Sequence, residues 1–412
     1  MNILIVSPYL PHPRALHGTG VFMHGLLVQL TQHHRVTLVC FCDDKESLLA
    51  PDLAALPLEL HLIPRAKGRQ ASFAANALLA LWRFVQLARS IILWRPYYTS
   101  KFTARRMARL VDRLTARQGF DIVQCEFAQM GQYRKHVRAG ATILHEHDVT
   151  FRPAYRRFKK ASRPIWKAFL FLEWCRWARY EPALAAQYDH VLTVTEQDTR
   201  LLKRLSHTNN ISYLPRGVDL PERIPRYEQR ESKSLIFVGT FAHHPNVDSV
   251  LWLVRDIFPL VLRKYPATIL YIIGSDPPQA LRDLAVEMPG VRILGYVEDV
   301  IPYLRECAVF VAPLRFGGGV KLKIIHAMAQ GIPVVTTPVG VEGIEGIDHD
   351  RVLLANTPRT IAEGICALLG DPSLGARIGE RGFELVRQHY SWKSTTLRLE
   401  EIYRTVKSQH AR

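Results

Sequence analysis

Long uninterrupted apolar runs are missing from this chain. The most apolar stretch, Ala71 to Trp94, is broken by Arg83 and Arg89, so no segment reaches the roughly 20 residues needed to span a bilayer as a helix. Acids are scarce: 37 Asp and Glu stand against 54 Lys and Arg, a net charge of +17. That excess points to an anionic partner such as a nucleotide, a nucleic acid or an acidic membrane surface. Cysteine is sparse too. The six thiols, Cys40, Cys42, Cys125, Cys175, Cys307 and Cys366, show no paired metal spacing. They read as reduced, mostly buried thiols of a cytosolic protein rather than a disulfide scaffold or a zinc site. The opening MNILIVSPYLP has no basic leader and no small-residue cleavage site, so no signal peptide is expected. At 412 residues and 48% apolar content, the chain is sized for two soluble globular domains.

Short apolar runs alternate with helical patterns along both halves. Asn2–Ser7, Val36–Cys40, Leu58–Ile63, Asp121–Cys125, Thr142–Leu144, Asp189–Thr195 and Ile211–Leu214 read as strands of a first domain over residues 1–215. Polar residues 216–233, which hold Pro221 and Pro225 and follow Pro215, read as a linker. Leu235–Val238, Thr268–Ile273, Val291–Leu294, Ala308–Ala312, Ile332–Thr336 and Val352–Ala355 read as strands of a second domain over 234–385, and 386–412 as a C-terminal helix. Strand–helix alternation predicts parallel, doubly wound sheets with ligand at the carboxyl ends of the strands.

The stretch with most chemical content runs from Ala312 to Gly346. After the strand ending at Ala312 come Gly317, Gly318 and Gly319, then a helical pattern from Val320 that stops at Gly331. Helix-start amides are unpaired and carry partial positive charge, and glycines let an anion approach them. Lys321 and Lys323 sit where the dipole favours acids, which points to an anionic ligand, most simply a phosphate. A glycine turn with two solvated lysines is the alternative. Lys323 and His326 are three apart and share a face.

This segment resembles the donor-binding core of retaining GT-B glycosyltransferases of family 4, the group 1 glycosyl transferases, in their GGG-type branch. The residues that carry the likeness are Pro313, Gly317–Lys323, Ile324, Ala327–Ala329, Gly331, Pro333–Val335, Thr337, Gly340, Glu342 and Gly343. At the family's two glutamate positions, eight apart, stand Gly318 and His326. A histidine can hydrogen-bond donor hydroxyls but offers no fixed negative charge. The resemblance implies an α/β GT-B fold, two doubly wound Rossmann-like domains facing each other across a cleft. The first would take the acceptor and the second a nucleotide-sugar donor. It implies phosphate contacts from Lys321, Lys323 and the Gly318–Val320 amides, and a base-cupping loop at Gly295, Tyr296 and Val297. The loop after Gly239 carries His243, His244 and Asn246 where many members have a cationic pair. No resident cofactor or metal is implied.

In the first half, Gly18 and Gly20 follow the first strand, with a helix expected from near Val21. By the same resemblance this loop touches donor phosphates or acceptor. The run His145-Glu146-His147-Asp148 invites a metal reading, but alternate residues of a strand face opposite ways, so at most His145 and His147 converge. No further ligand is evident, and no metal is expected. The resemblance places His147, or second to it His145, near the reacting sugar, and Glu126, after the previous strand, can also point into the cleft. Two regions are basic and aromatic. Residues 65–117 hold twelve Arg or Lys and one acid, and residues 151–179 hold nine and one. Such segments lie on anionic membranes or pack their aromatics into a core. They also suit single-stranded nucleic acid, although no RNA-binding motif accompanies them. The expectation is a glycosyltransferase using a lipid-linked or saccharide acceptor in surface polysaccharide or glycolipid assembly. It would be cytoplasmic and peripheral on the inner face of the cell membrane, with no nucleic-acid partner. The rivals are a GT-B scaffold that has lost its chemistry and a GT-B sugar-nucleotide epimerase.

Overall fold

The computed structural model describes residues 1–14, 18–44, 46–65, 81 and 85–410. The chain divides into two compact units, Met1–Gly217 with Thr395–Arg412, and Val218–Ser394.

The first unit is built on seven strands: β1 (Asn2–Ser7), β2 (Arg35–Cys42), β3 (Leu58–Pro64), β4 (Ile122–Glu126), β5 (Ala141–Glu146), β6 (His190–Thr193) and β7 (Ile211–Tyr213). They are ordered β3-β2-β1-β4-β5-β6-β7, every pair parallel. The second unit has six: β8 (Glu231–Val238), β9 (Ile269–Ile273), β10 (Val291–Gly295), β11 (Cys307–Ala312), β12 (Val334–Thr336) and β13 (Leu353–Leu354). Their order is β10-β9-β8-β11-β12-β13, again parallel throughout. In both sheets the order reverses next to the first strand, between β1 and β4 and between β8 and β11. Crevices at such switch points are where doubly wound sheets hold ligands.

The helices that matter below are α1 (Gly18–Leu30), α2 (Phe151–Lys160), α3 (Pro164–Ala185), α4 (His244–Trp252), α5 (Leu322–Ala329) and α6 (Trp392–His410). Central strands read as unbroken apolar runs because both faces are covered by helices: Cys307–Ala312 is buried at every position. The helical stretch from His244 to Lys264 is not continuous. Leu253–Ile257 forms a π turn and a new helical segment starts at Phe258–Pro259, where proline supplies no N–H to continue the ladder. β8 begins at Glu231, inside the segment read as a linker, and Val218 bridges to Ser391 within the second unit.

Gly18 and Gly20 form the first turn of α1 instead of a loop ahead of it. His17 and residues 66–80 and 82–84, including Phe73, Leu78, Leu79, Trp82 and Phe84, lie outside the described residues. Among the described residues all six cysteines are free thiols, five of them buried. No described helix is long and apolar enough to cross a membrane. The aromatics of residues 151–179 divide: Trp177 is in the core, whereas Tyr155, Trp166 and Phe171 are exposed.

α6 starts in the second unit and ends in the first. Its Leu399, Tyr403 and Val406 are buried. Glu400 pairs with His34 at 3.0 Å and Lys407 with Asp121 at 2.6 Å.

Candidate functional site

The second unit carries a cavity of about 260 Å³ at the carboxyl ends of β8 and β11. Gly239, Asn246, Gly317, Gly318, Val320, Lys321 and Lys323 line it, with Phe316 and Pro245 as apolar walls. The turn between β11 and α5 needs its glycines: Gly317 and Gly319 have φ of 140° and 72°, values that a side chain resists. This turn brings Lys321 to the N-cap of α5 and Lys323 into its first turn.

Lys323 is held from three sides. Its Nζ donates to Asn246 Oδ1 at 2.6 Å. The Phe237 ring centroid lies 4.6 Å away, a cation–π contact. Opposite is Gly239, where an added Cβ would come within 3.0 Å of Nζ and 2.8 Å of the Asn246 amide. None of these neighbours is a carboxylate. Burial, and then repulsion from Lys321, push the Lys323 pKa down to about 7. Lys321 is buried, with Glu342 Oε2 at 3.7 Å from its Nζ. Two ammonium groups thus flank one helix start. An anion entering the cavity would relieve both the repulsion and the desolvation.

His326 lies one turn along α5, exposed, and outside the cavity lining. Nearby protein desolvates it and lowers its pKa, with Asp219 pulling the other way. Gly319 is also outside the lining, and so are Tyr296, 76% exposed, and Val297, beyond the end of β10. Of the residues singled out in the second half, the cavity therefore gathers Gly239, Gly317, Gly318, Val320, Lys321 and Lys323.

In the first unit the metal reading of His145-Glu146-His147 needs a correction, because the fold supplies a third group. β4 and β5 pair in parallel with Glu126 opposite His145, so Glu126, His145 and His147 share a face. Glu126 Oε2 lies 2.6 Å from His147 Nε2 and 3.1 Å from His145 Nδ1, all three side chains being buried. Their ligand atoms fall within 4.8 Å of one another, the one such His/Cys/Asp/Glu group among the described residues. The 2.6 Å separation is a hydrogen bond, and it is shorter than the roughly 3.3 Å between two ligands of a tetrahedral ion. A metal would require the carboxylate to move.

The cluster extends to the C-terminal helix. Glu126 Oε1 accepts from Gln124 Nε2 at 2.5 Å, and Gln124 Oε1 accepts from Tyr403 Oη at 2.6 Å. Burial alone would raise the Glu126 pKa, but the charge and hydrogen bonds of His145 and His147 hold it well below the usual carboxylate range. Burial, and the neighbouring His145, push His147 down to about 3. A neutral His147 donates from Nε2 to Glu126, which leaves Nδ1 as a bare acceptor; that atom is buried without a partner. The Phe127 ring packs against the His147 ring, tilted by 42° at 4.4 Å between centroids. On the opposite face Glu146 accepts from the Ala128 N–H. Burial and the carboxylate of Glu181 push its pKa up.

Gly18 and Gly20, in α1, lie in the same unit as His147. Nearby, Arg216 donates to Thr19 Oγ1 at 3.4 Å and lies over the Phe22 ring; Phe22 is 5.9 Å from the His147 ring. Sequence reading did not assign Asn246 as the Lys323 partner or Glu126 as the histidine clamp. The signals were a polar residue opening a helix and an acid ending a strand, and each becomes specific only once strand neighbours are known.

Two Rossmann-like α/β units, each a parallel doubly wound sheet, with a cationic glycine-turn cavity at a switch point, define the two-domain GT-B architecture. Over the whole chain the fold is similar to sucrose-phosphate synthase from Thermosynechococcus elongatus, with a TM-score of 0.66 at 17% identity, covering 99% of this chain and 100% of the other. Residues 232–371 match the family model described as glycosyl transferases group 1, a stretch that includes the whole lysine cavity. Phosphatidyl-myo-inositol mannosyltransferase of Mycobacterium leprae is 27% identical over 43% of this chain and 48% of its own length. O-antigen chain mannosyltransferase B of Escherichia coli is 28% identical over 47% of this chain and 51% of its own. The chain thus spans about half the length of each of these two relatives.

Proposed function

We propose that this protein is a retaining glycosyltransferase that moves a sugar from a nucleoside-diphosphate sugar to a hydroxyl of a lipid-linked or saccharide acceptor, in surface polysaccharide or glycolipid assembly. The observation that carries the reading is the pair Lys321 and Lys323 at a glycine-bounded helix start, lining one cavity inside the stretch that matches the group 1 family model. Departure of the diphosphate is the hard step. Preorganised cations and amides aimed at the growing charge lower that barrier. Lys321, Lys323 and the amides of Gly318 to Val320 fill that role without a metal. In the first unit His147, buried and with its tautomer set by Glu126, stands near the reacting sugar in this reading. In this reading His326 hydrogen-bonds donor hydroxyls, Gly18 and Gly20 lie against donor or acceptor, and the Tyr296–Val297 backbone borders the base. The names of the two mannosyltransferases support the polysaccharide or glycolipid setting. The +17 charge supports peripheral contact with an anionic membrane from the cytoplasmic side.

Calorimetric titration with UDP-, GDP- and ADP-sugars tests this. One donor binds the wild type, and Lys323→Ala weakens that binding at every pH. A second reading, a scaffold that has lost its chemistry, is favoured by the uncharged histidine at position 326. It gains if no donor binds the wild type while His326→Glu restores binding.

A further inference from the structure

The first unit holds a second, larger cavity that the reading above does not use. It is a groove of about 620 Å³ running between α2, α3 and residues 97–101. Tyr98, Phe127, Trp166, Phe169, Leu170 and Trp177 form most of its wall. Polar residues belong to the lining as well: Asp148, Thr150 and Gln129, with the Phe127 ring whose centroid lies 4.4 Å from that of His147, and Lys101 and Arg157. The lining acid Glu173 is neutralised: it pairs with Arg176 at 2.6 Å and accepts the Tyr97 N–H at 2.9 Å. The cations of the lining are Lys101 and Arg157. Trp166, 55% exposed, also belongs to an exposed apolar flank with Ile165, 90% exposed, and Arg163 and Lys167 lie beside it in the chain.

A saccharide needs hydrogen-bond partners along its whole length, and most of this groove's wall is aromatic or aliphatic. A hydrocarbon chain needs none. It gains about 0.8 kcal/mol for each methylene removed from water, which is about fourfold in affinity. We propose that the groove binds the hydrocarbon chain of an anionic lipid-phosphate acceptor, entering over Trp166, with the phosphate at Lys101 and Arg157 and the acceptor end directed toward Asp148 and His147. The inference rests on the transferase reading and names the acceptor class for it.

The test is binding of octyl, decyl and dodecyl phosphate, below micelle-forming concentrations, to the full chain, read by tryptophan fluorescence. Affinity rises about three- to fourfold per added methylene. Phe169→Glu and, separately, Trp166→Ala weaken dodecyl phosphate by tenfold or more. Lys101→Ala combined with Arg157→Ala removes the preference for dodecyl phosphate over dodecanol. Nucleotide-sugar binding, measured on the same preparations, stays unchanged and reports that each variant is folded. Chain-length independence overturns the proposal, and so does full binding by both groove variants. Adhesion to anionic vesicles without binding of monomeric dodecyl phosphate also overturns it, showing a flat membrane contact instead. If the alkyl series behaves as stated and no donor binds, the groove stands and the transferase reading falls. If a donor binds and the alkyl series does not, only the groove falls.

Discussion

Lys323 gives the sharpest prediction, because its charge is in balance near neutral pH. Burial and Lys321 bring its pKa to about 7. With that value about half of the molecules carry the charge at pH 7 and about 3% at pH 8.5. If only the charged form holds a diphosphate, affinity for a nucleoside-diphosphate sugar falls about 16-fold over that interval, about 1.6 kcal/mol. The diphosphate bridge of such a donor has no proton to lose in this range, so the slope belongs to the protein. Calorimetry at pH 7.0, 7.5, 8.0 and 8.5 at fixed ionic strength measures it, and heats in two buffers of different ionisation enthalpy count the proton taken up. Lys323→Ala binds weakly at every pH and shows no slope. Lys323→Arg stays charged and gives a flat profile without losing the site's charge. A flat wild-type profile, or an unchanged slope in Lys323→Ala, would refute the placement of this lysine at the anion.

Three further outcomes follow from named contacts. Asn246→Asp puts a carboxylate where the amide now lies 2.6 Å from Lys323 Nζ; it raises the lysine pKa, erases the alkaline slope and weakens donor binding at all pH by opposing the diphosphate, as the same titrations would show. His147 is held neutral down to about pH 3, so between its unfolded value near 6.5 and about 3 the unfolded chain binds the extra proton. Stability therefore falls on acidification through that window, and His147→Asn flattens the fall in thermal melts taken from pH 7 to 4. Arg230 is buried and donates to the carbonyls of Leu304, Arg305, Cys307 and Gln330; Arg230→Ala leaves those acceptors unpaired and destabilises the second unit by about 3–5 kcal/mol, read by urea denaturation.

The fold was largely legible in the chain itself. Asn2–Ser7 has the same limits in pattern and structure because an apolar run between polar residues admits one buried strand. The glycine turn at 317–319 was equally clear, since the switch from strand to helical spacing happens across it. Polar strand starts were not. Glu231, Ser232 and Lys233 carry no apolar signal, yet they open β8, because the backbone ladder rather than burial recruits them. The two site features that needed tertiary knowledge were also hidden. Glu126 meets His145 and His147 through the β4–β5 register, which no local spacing encodes. Lys323 reads as a solvated cation until Phe237, from a strand 86 residues earlier in the numbering, is placed beneath it.

The split of the first unit, Met1–Gly217 with Thr395–Arg412, bears on how the protein is made. Chains emerge from the ribosome N-terminus first, and domains generally fold as they become complete. Here the earlier half is the one left incomplete. Until Leu399, Tyr403 and Val406 arrive, the pockets they fill stay open, and Gln124 lacks the tyrosine hydroxyl that anchors it. The second unit, translated in one piece, can finish before the first. A chain truncated before Tyr403 would have a sound second unit and a histidine cluster without its outer brace, a species open to proteolysis and to capture by chaperones.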